Sequence, residues 1–255
     1  MLKLKGITKD YVMGEDTIHA LKGIDLEFRE SEFVAILGHS GCGKTTLLNI
    51  IGLLDTPTSG DYFLNGVNVR RISTNKKSNL RSSKIGFIFQ NYNLIDSMPI
   101  IENVALPLLY SGAHKTSRLI RASEALERFN LKQKEYYYPN QLSGGQQQRA
   151  AIARAIVSSP EIILADEPTG NLDSRTSKLV MEELCRIHEE GNTIIMVTHN
   201  PDLVSYATRV IRILDGSIDM DVKTVDDEDL PVKDKSKKKK KKKKKSNNVV
   251  KRRKK

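Results

Sequence analysis

The chain has 255 residues, 38% apolar and 5% aromatic, with two cysteines, no tryptophan and a formal net charge of +11. Residues 233–255 hold 16 Lys/Arg against one Asp, which leaves residues 1–232 at −4, so the basic total gives no reason to expect a nucleic-acid groove on the folded part. No apolar run reaches the ~18–20 residues of a membrane helix, the first ten residues lack the apolar core of a signal peptide, and two cysteines are too few for a disulfide framework, as in a reduced cytosolic chain.

Residues 2–8 and 24–29 alternate apolar and polar, as half-exposed strands do, and are expected to flank a loop holding Tyr11, Gly14 and Asp16. Phe33–Leu37 is a short apolar run that reads as a buried strand, and Leu47, Leu48, Ile50, Ile51 and Leu54 recur at helical spacing just after it. Pro57–Gly60 signals a turn, and Asn65-Gly66 marks a hairpin after Tyr62–Leu64. The polar, basic stretch 71–84 reads as a surface loop with a short helix, and Lys84–Gln90 as a buried strand with a polar end.

Further on, Ile101–Tyr110 and Ser117–Asn130 read as helices, the second with an apolar stripe of Leu119, Ala122, Leu126 and Phe129. A helix is expected from Gln141–Gln148 to about Ser158, then a central strand at Ile162–Ala165. Ser174–Glu190 is an amphipathic helix, and Thr193–Thr198 and Thr208–Leu214 are buried strands. Buried strands alternating with helices predict an α/β fold with a mostly parallel sheet covered on both faces. An antiparallel β portion comes first and a helical subdomain occupies about 95–158.

Between the strand at 33 and its helix lies Gly38-His39-Ser40-Gly41-Cys42-Gly43-Lys44-Thr45, followed by Thr46, a full match to the P-loop pattern in its strand–helix context. Glycines let backbone N–H groups wrap closely around phosphates, and the helix start adds unpaired donors and partial positive charge. Lys44 is expected to reach the β- and γ-phosphates and Thr45 to offer its hydroxyl to Mg²⁺. The Cys42 thiol, at a helix N-terminus, is expected to be acidified and reactive. Ile162–Glu167 is an apolar strand ending in two carboxylates, as a Walker B strand does. Asp166 is expected to hold Mg²⁺ and Glu167 to orient the attacking water.

Leu142-Ser143-Gly144-Gly145-Gln146 opens another helix and is a second anion-binding element in one chain. Here the sequence resembles the ATP-binding cassette (ABC) ATPases, over roughly residues 1–218. The resemblance implies a P-loop NTPase fold of the ABC cassette type, with ATP and Mg²⁺ as ligands. It implies that Tyr11 stacks on adenine, that Gln90 is the Q-loop residue near Mg²⁺, that Asn171-Leu172-Asp173 is the D-loop, and that His199 lies near the γ-phosphate. The signature residues Ser143, Gly144, Gly145 and Gln146 would face the P-loop of a second copy, making ATP the glue of a dimer. His39 stands where the family loop more often has Pro and is given no catalytic role. His19, His114 and His188 are treated as incidental.

Residues 85–112 and 165–173 resemble the macrolide-exporter and lipoprotein-release branch, in which closure of the ATPase pulls on a separate transmembrane permease subunit. The resemblance thus implies a peripheral ATPase on the cytoplasmic face of the membrane. Alternatives are a division-type regulatory ABC ATPase and a soluble one acting on nucleic acid or ribosomes. Specific nucleic-acid recognition is not expected. Residues 219–255, acidic then polylysine, cannot bury apolar surface and are expected to be disordered. The tail's candidate partner is anionic lipid.

Overall fold

The structure, a computed structural model, describes residues 1–110 and 112–224. The acidic cluster and polylysine run therefore lie outside the described residues, as does nearly all of the segment expected to be disordered. Two sheets share one body. The first, of four antiparallel strands, has the order β2-β1-β4-β5, with β1 at Leu2–Met13, β2 at Asp16–Phe28, β4 at Ser59–Leu64 and β5 at Val67–Asn68. The β1–β2 hairpin is longer than the alternation predicts. Only Gly14 and Glu15 lie outside it, so Tyr11 sits in β1 and Asp16 opens β2, not in a loop. Asn65 and Gly66, both at positive φ, make the expected two-residue turn.

The second sheet has six strands in the order β10-β9-β3-β8-β7-β6. Here β3 is Phe33–Leu37, β6 Ile85–Ile88, β7 Ile162–Asp166, β8 Thr193–Thr198, β9 Arg209–Leu214 and β10 Ser217–Lys223. From β9 through β6 all neighbours are parallel, and only β10 runs antiparallel, at the edge. The strand at 162 is flanked on both sides, but β3 and β8 hold the middle.

Successive side chains of a strand point to opposite faces, and both faces of this sheet are apolar. On one side, Phe33, Ala35, Ile163, Ala165, Ile194 and Met196 pack with α3 (Ile100–Leu109), α4 (Lys115–Arg128), α5 (Gly144–Ile156) and α6 (Ser174–Glu189). On the other, Val34, Ile36, Ile162, Leu164, Ile195 and Val197 pack against α1 (Lys44–Ile51) and the antiparallel sheet. Ala122, Leu126 and Phe129 of the expected α4 stripe are buried, with Leu119 partly so, and Val180, Leu184 and Ile187 of α6 are buried. α2 (Thr74–Lys84) buries none of its residues and is capped by Ser73.

The boundary expected at residue 218 falls inside β10. Its residues alternate apolar and charged, as an edge strand does, and those charges have partners. Arg209 makes a two-pronged pair with Asp221, both bonds 2.7 Å, and reaches Glu32 at 3.1 Å with its own side chain 12% exposed; Arg212 pairs with Asp219. Ending the chain at Ile218 rather than Thr224 removes both carboxylates and leaves Arg209 with Glu32 and the Glu27 carbonyl alone. We expect a loss of about 2–4 kcal/mol of stability, measured by urea unfolding. Equal midpoints for the two chain lengths would show that β10 contributes nothing.

Candidate functional site

The parallel strands deliver the site residues because every one of their carboxyl ends points the same way, where α/β sheets bind ligands. β3 runs into the P-loop, β8 into His199, β7 into Asp166 and Glu167, and β6 ends just before Gln90. Together they line a cleft of about 980 Å³. It gathers His39, Ser40, Gly41, Gly43, Lys44, Thr45, Thr46, Gln90, Asp166, Glu167 and His199 from among the residues expected at the site.

The loop geometry depends on glycine at two places. At Gly38 a Cβ would lie 2.5 Å from Cys42 Sγ and 2.6 Å from Ile213 O; at Gly43, where φ is 101°, it would lie 2.5 Å from Ala20 O. The loop is thus packed down on β2 and β9 and has no room for side chains there. The turn after β9 fastens it further, since Gly216 N–H donates to Cys42 O at 3.1 Å and Lys22 N–H to Gly216 O at 2.8 Å. Lys44 is 7% exposed, and its Nζ donates to Gly38 O and His39 O at 2.9 and 2.8 Å, holding the ammonium over the loop.

Thr45 Oγ1 lies 3.4 Å from Asp166 Oδ1. Burial, more than the neighbouring Glu167 charge, pushes the Asp166 carboxyl above its ordinary range, while Thr45 and Lys44 pull the other way. Glu167 leaves β7 in the left-handed region, φ 46°, an unusual conformation for a side chain with a Cβ. Its N–H donates to Val197 O at 3.0 Å; its carboxylate is 2.7 Å from His199 Nδ1 and accepts from Thr198 Oγ1 at 3.3 Å. A carboxylate partner requires the proton on Nδ1, which fixes the ring and leaves Nε2 as its other polar atom.

Several expected residues lie elsewhere. Tyr11 is outside the cleft lining. Its hydroxyl donates to Asp55 at 2.9 Å, Lys9 Nζ stands 4.9 Å from its ring, and it pairs across the hairpin with Ile18, which does line the cleft. Asp173 caps α6, accepting from the N–H groups of Arg175 and Thr176 and from Thr176 Oγ1, and does not reach the cleft. Ser143, Gly144, Gly145 and Gln146 open α5, with Gln146 Oε1 accepting from Ser143 N–H at 3.0 Å, and also stand outside it.

Cys42 is 2% exposed, its sulfur turned under Gly38 into the core. This corrects the expectation of a reactive thiol, because a helix N-terminus activates only a sulfur that solvent can reach. N-ethylmaleimide should label native protein at Cys42 at least about tenfold more slowly than unfolded protein, read by mass spectrometry. Equal rates would mean that the loop opens freely.

Sequence reasoning missed Ile18, His19, Ala20 and Lys22 of β2 and Asp215-Gly216, all of which line the cleft. His19, treated as incidental, pairs with Asp10 at 2.7 Å, and His39 Nε2 stands 3.6 Å from Asp215. Only the Asp215-Gly216 turn left a local signal; the approach of β2 to the loop is a tertiary contact.

A phosphate-cradling loop, a half-buried carboxylate beside its threonine and a carboxylate–histidine pair at the ends of parallel strands define a P-loop ATPase. Residues 21–170 match the family model described as ABC transporter. The chain belongs to the ABC transporter ATP-binding family; it binds ATP and is an ATPase. It is 49% identical over 218 residues to the macrolide export ATP-binding/permease protein MacB of Mannheimia succiniciproducens, covering 86% of this chain but 34% of that protein. It is 44% identical to the uncharacterized ABC transporter ATP-binding protein YknY of Bacillus subtilis, covering 86% of this chain and 95% of that one. The chain therefore spans about a third of the length of its MacB relative and nearly the whole of YknY. Among solved structures it resembles the dimeric cassette MJ0796 (TM-score 0.82, 44% identity, 88% of this chain and 98% of that one). It also resembles a dimeric post-hydrolysis state of MJ0796 bound to ADP and Pi (TM-score 0.81, 43% identity, the same shares). Among the described residues no helix is long and apolar enough to cross a membrane.

Proposed function

We propose that this cassette is the ATP-hydrolysing subunit of a membrane complex, closing as a dimer on two ATP molecules to drive a separate permease. The observation that carries the dimer is the separation of its two phosphate-binding elements. The P-loop lines the cleft and the signature opening of α5 does not. A second copy can supply the missing half, and the solved relatives described as dimeric support that reading. ATP favours the closed state by its differential affinity for it.

Within the cleft, Lys44 and the loop N–H groups hold the β- and γ-phosphates, and Tyr11 flanks the adenine from its place beside Ile18. Glu167 orients the attacking water, and His199, bonded to its carboxylate, keeps that carboxylate aimed. The oxygens of Thr45, Asp166 and Gln90 are hard donors suited to Mg²⁺ and would hold it; when bound, the ion neutralises charge on the phosphates. Gly170 leaves space for Gln90, since a Cβ there would meet its Nε2 at 2.8 Å.

The permease reading is supported by the MacB and YknY relatives; under it the cassette is a peripheral subunit on the cytoplasmic face of the membrane. Macrolide-type export, lipoprotein release and peptide resistance are the branch activities it fits. The test is a pulldown of tagged Glu167→Gln protein from detergent-solubilised native membranes with Mg-ATP. A stoichiometric polytopic partner is the expected result. Recovery of RNA or ribosomal proteins that survives high salt, with no membrane protein, would overturn it.

A further inference from the structure

α5 carries two polar side chains that the phosphate chemistry leaves unused. Gln148 is fully buried in the helix-side core; its Nε2 donates to Pro168 O at 2.6 Å, while its Oε1 has no partner among the described residues. A half-satisfied buried amide costs free energy that a methionine of similar size would not. Its one bond falls on the residue after Glu167. That turn keeps Glu167 left-handed and is closed by Gly170 N–H on Glu167 O at 3.0 Å.

Arg154 lies further along the same helix. Its Nη2 donates to Tyr92 O at 2.7 Å and its Nη1 to Asn93 O at 2.5 Å. Burial draws its pKa down to about 10, so it is a cation at neutral pH, and among the described residues it has no carboxylate partner. Its guanidinium is committed to the segment that follows Gln90. Tyr92 and Asn93 are both left-handed, at φ 60° and 47°, a conformation that persists only where surroundings over-determine it. The Tyr92 hydroxyl also abuts the signature, where a Cβ on Gly144 would lie 2.8 Å away. From the other side, Asn171 Nδ2 donates to Gln90 O at 3.1 Å and Asn91 Oδ1 at 2.8 Å.

We propose that Gln148 and Arg154 are positioning residues for hydrolysis: from one helix they fix the Glu167 turn and the segment after Gln90 relative to the signature at Ser143–Gln146. The inference rests on the reading of Glu167 as the group that orients water. Both side chains bond to main-chain carbonyls of Pro168, Tyr92 and Asn93, so it is the donor at 148 and 154 that makes each link. A shift of α5 at its signature end is carried to both loops through these bonds.

The test measures kcat, KM for ATP and amide hydrogen exchange of the full chain with Gln148→Met, Arg154→Met and Arg154→Lys, beside Glu167→Gln. Each Met variant is expected to lower kcat about tenfold or more with KM held within about threefold. Arg154→Lys, with one ammonium in place of a fork, recovers part of the loss. Exchange should quicken around 90–94 in the Arg154 variants and around 167–171 in Gln148→Met, with β3 and α1 unchanged. Unchanged kcat and exchange in both Met variants, with Glu167→Gln inactive, would overturn the inference alone. Full turnover by Glu167→Gln would overturn the reading of Glu167 and this inference with it. Should Gln148→Met fail to fold, Arg154→Lys against Arg154→Met decides: no recovery of kcat and no local change in exchange would overturn it.

Discussion

Glu167→Gln is expected to lower ATP turnover by about 10²–10⁴-fold, the range for loss of a positioned general base, while leaving ATP binding in place. The amide keeps the shape of the carboxylate and can still pair with His199, but it cannot take a proton from water. Nucleotide should then stay bound, and with Mg-ATP the variant should elute in size-exclusion chromatography as a dimer. A monomer under those conditions, with ATP bound, would count against assembly across two copies; undiminished turnover would remove Glu167 from the chemistry.

Lys44→Ala should have its main effect one step earlier, on binding. The ammonium is nearly buried and is held by two loop carbonyls, so its removal takes away both a charge for the phosphates and a brace for the loop. We expect Kd for ATP to rise about 100-fold, or about 2.7 kcal/mol, measured by calorimetry, and turnover at ordinary ATP to vanish. A Kd within about threefold of the parent would mean that backbone N–H groups alone hold the phosphates. The two variants divide the cycle, one stopped before ATP is held and the other after.

What the sequence made legible was whatever is written locally. The P-loop, Asp166-Glu167 and the signature are contiguous stretches whose chemistry depends on neighbours a few residues away. β7, β8 and α6 announce themselves by apolar runs or a 3.6-residue period. β10 alternates Ile218, Met220 and Val222 with charged residues, but its pairing with β9 and the Arg209 and Arg212 partners of those charges are tertiary and not written locally. The same reason hides the part played by Ala20 and Gly216 under the phosphate loop. For Cys42 the position in the motif is legible in the sequence, but the direction of its side chain, under Gly38, is set by tertiary packing. The alternation of β1 is broken by bulges near Ile7 and Lys9, where the pairing register shifts, so the sequence pattern points to a loop at Tyr11.

The strand order also bears on how the cassette comes off the ribosome. Both partners of β3 in the sheet, β8 and β9, are made more than 150 residues after it. The nascent chain therefore emerges with its most apolar strand and its phosphate loop unpaired, and parallel pairing of such high contact order is slow. Until residues 193–214 have left the exit tunnel, nothing in the larger sheet can close around Phe33–Leu37. For that interval the segment is a client for chaperones and a hazard for aggregation, and a translational pause before residue 193 would lengthen it.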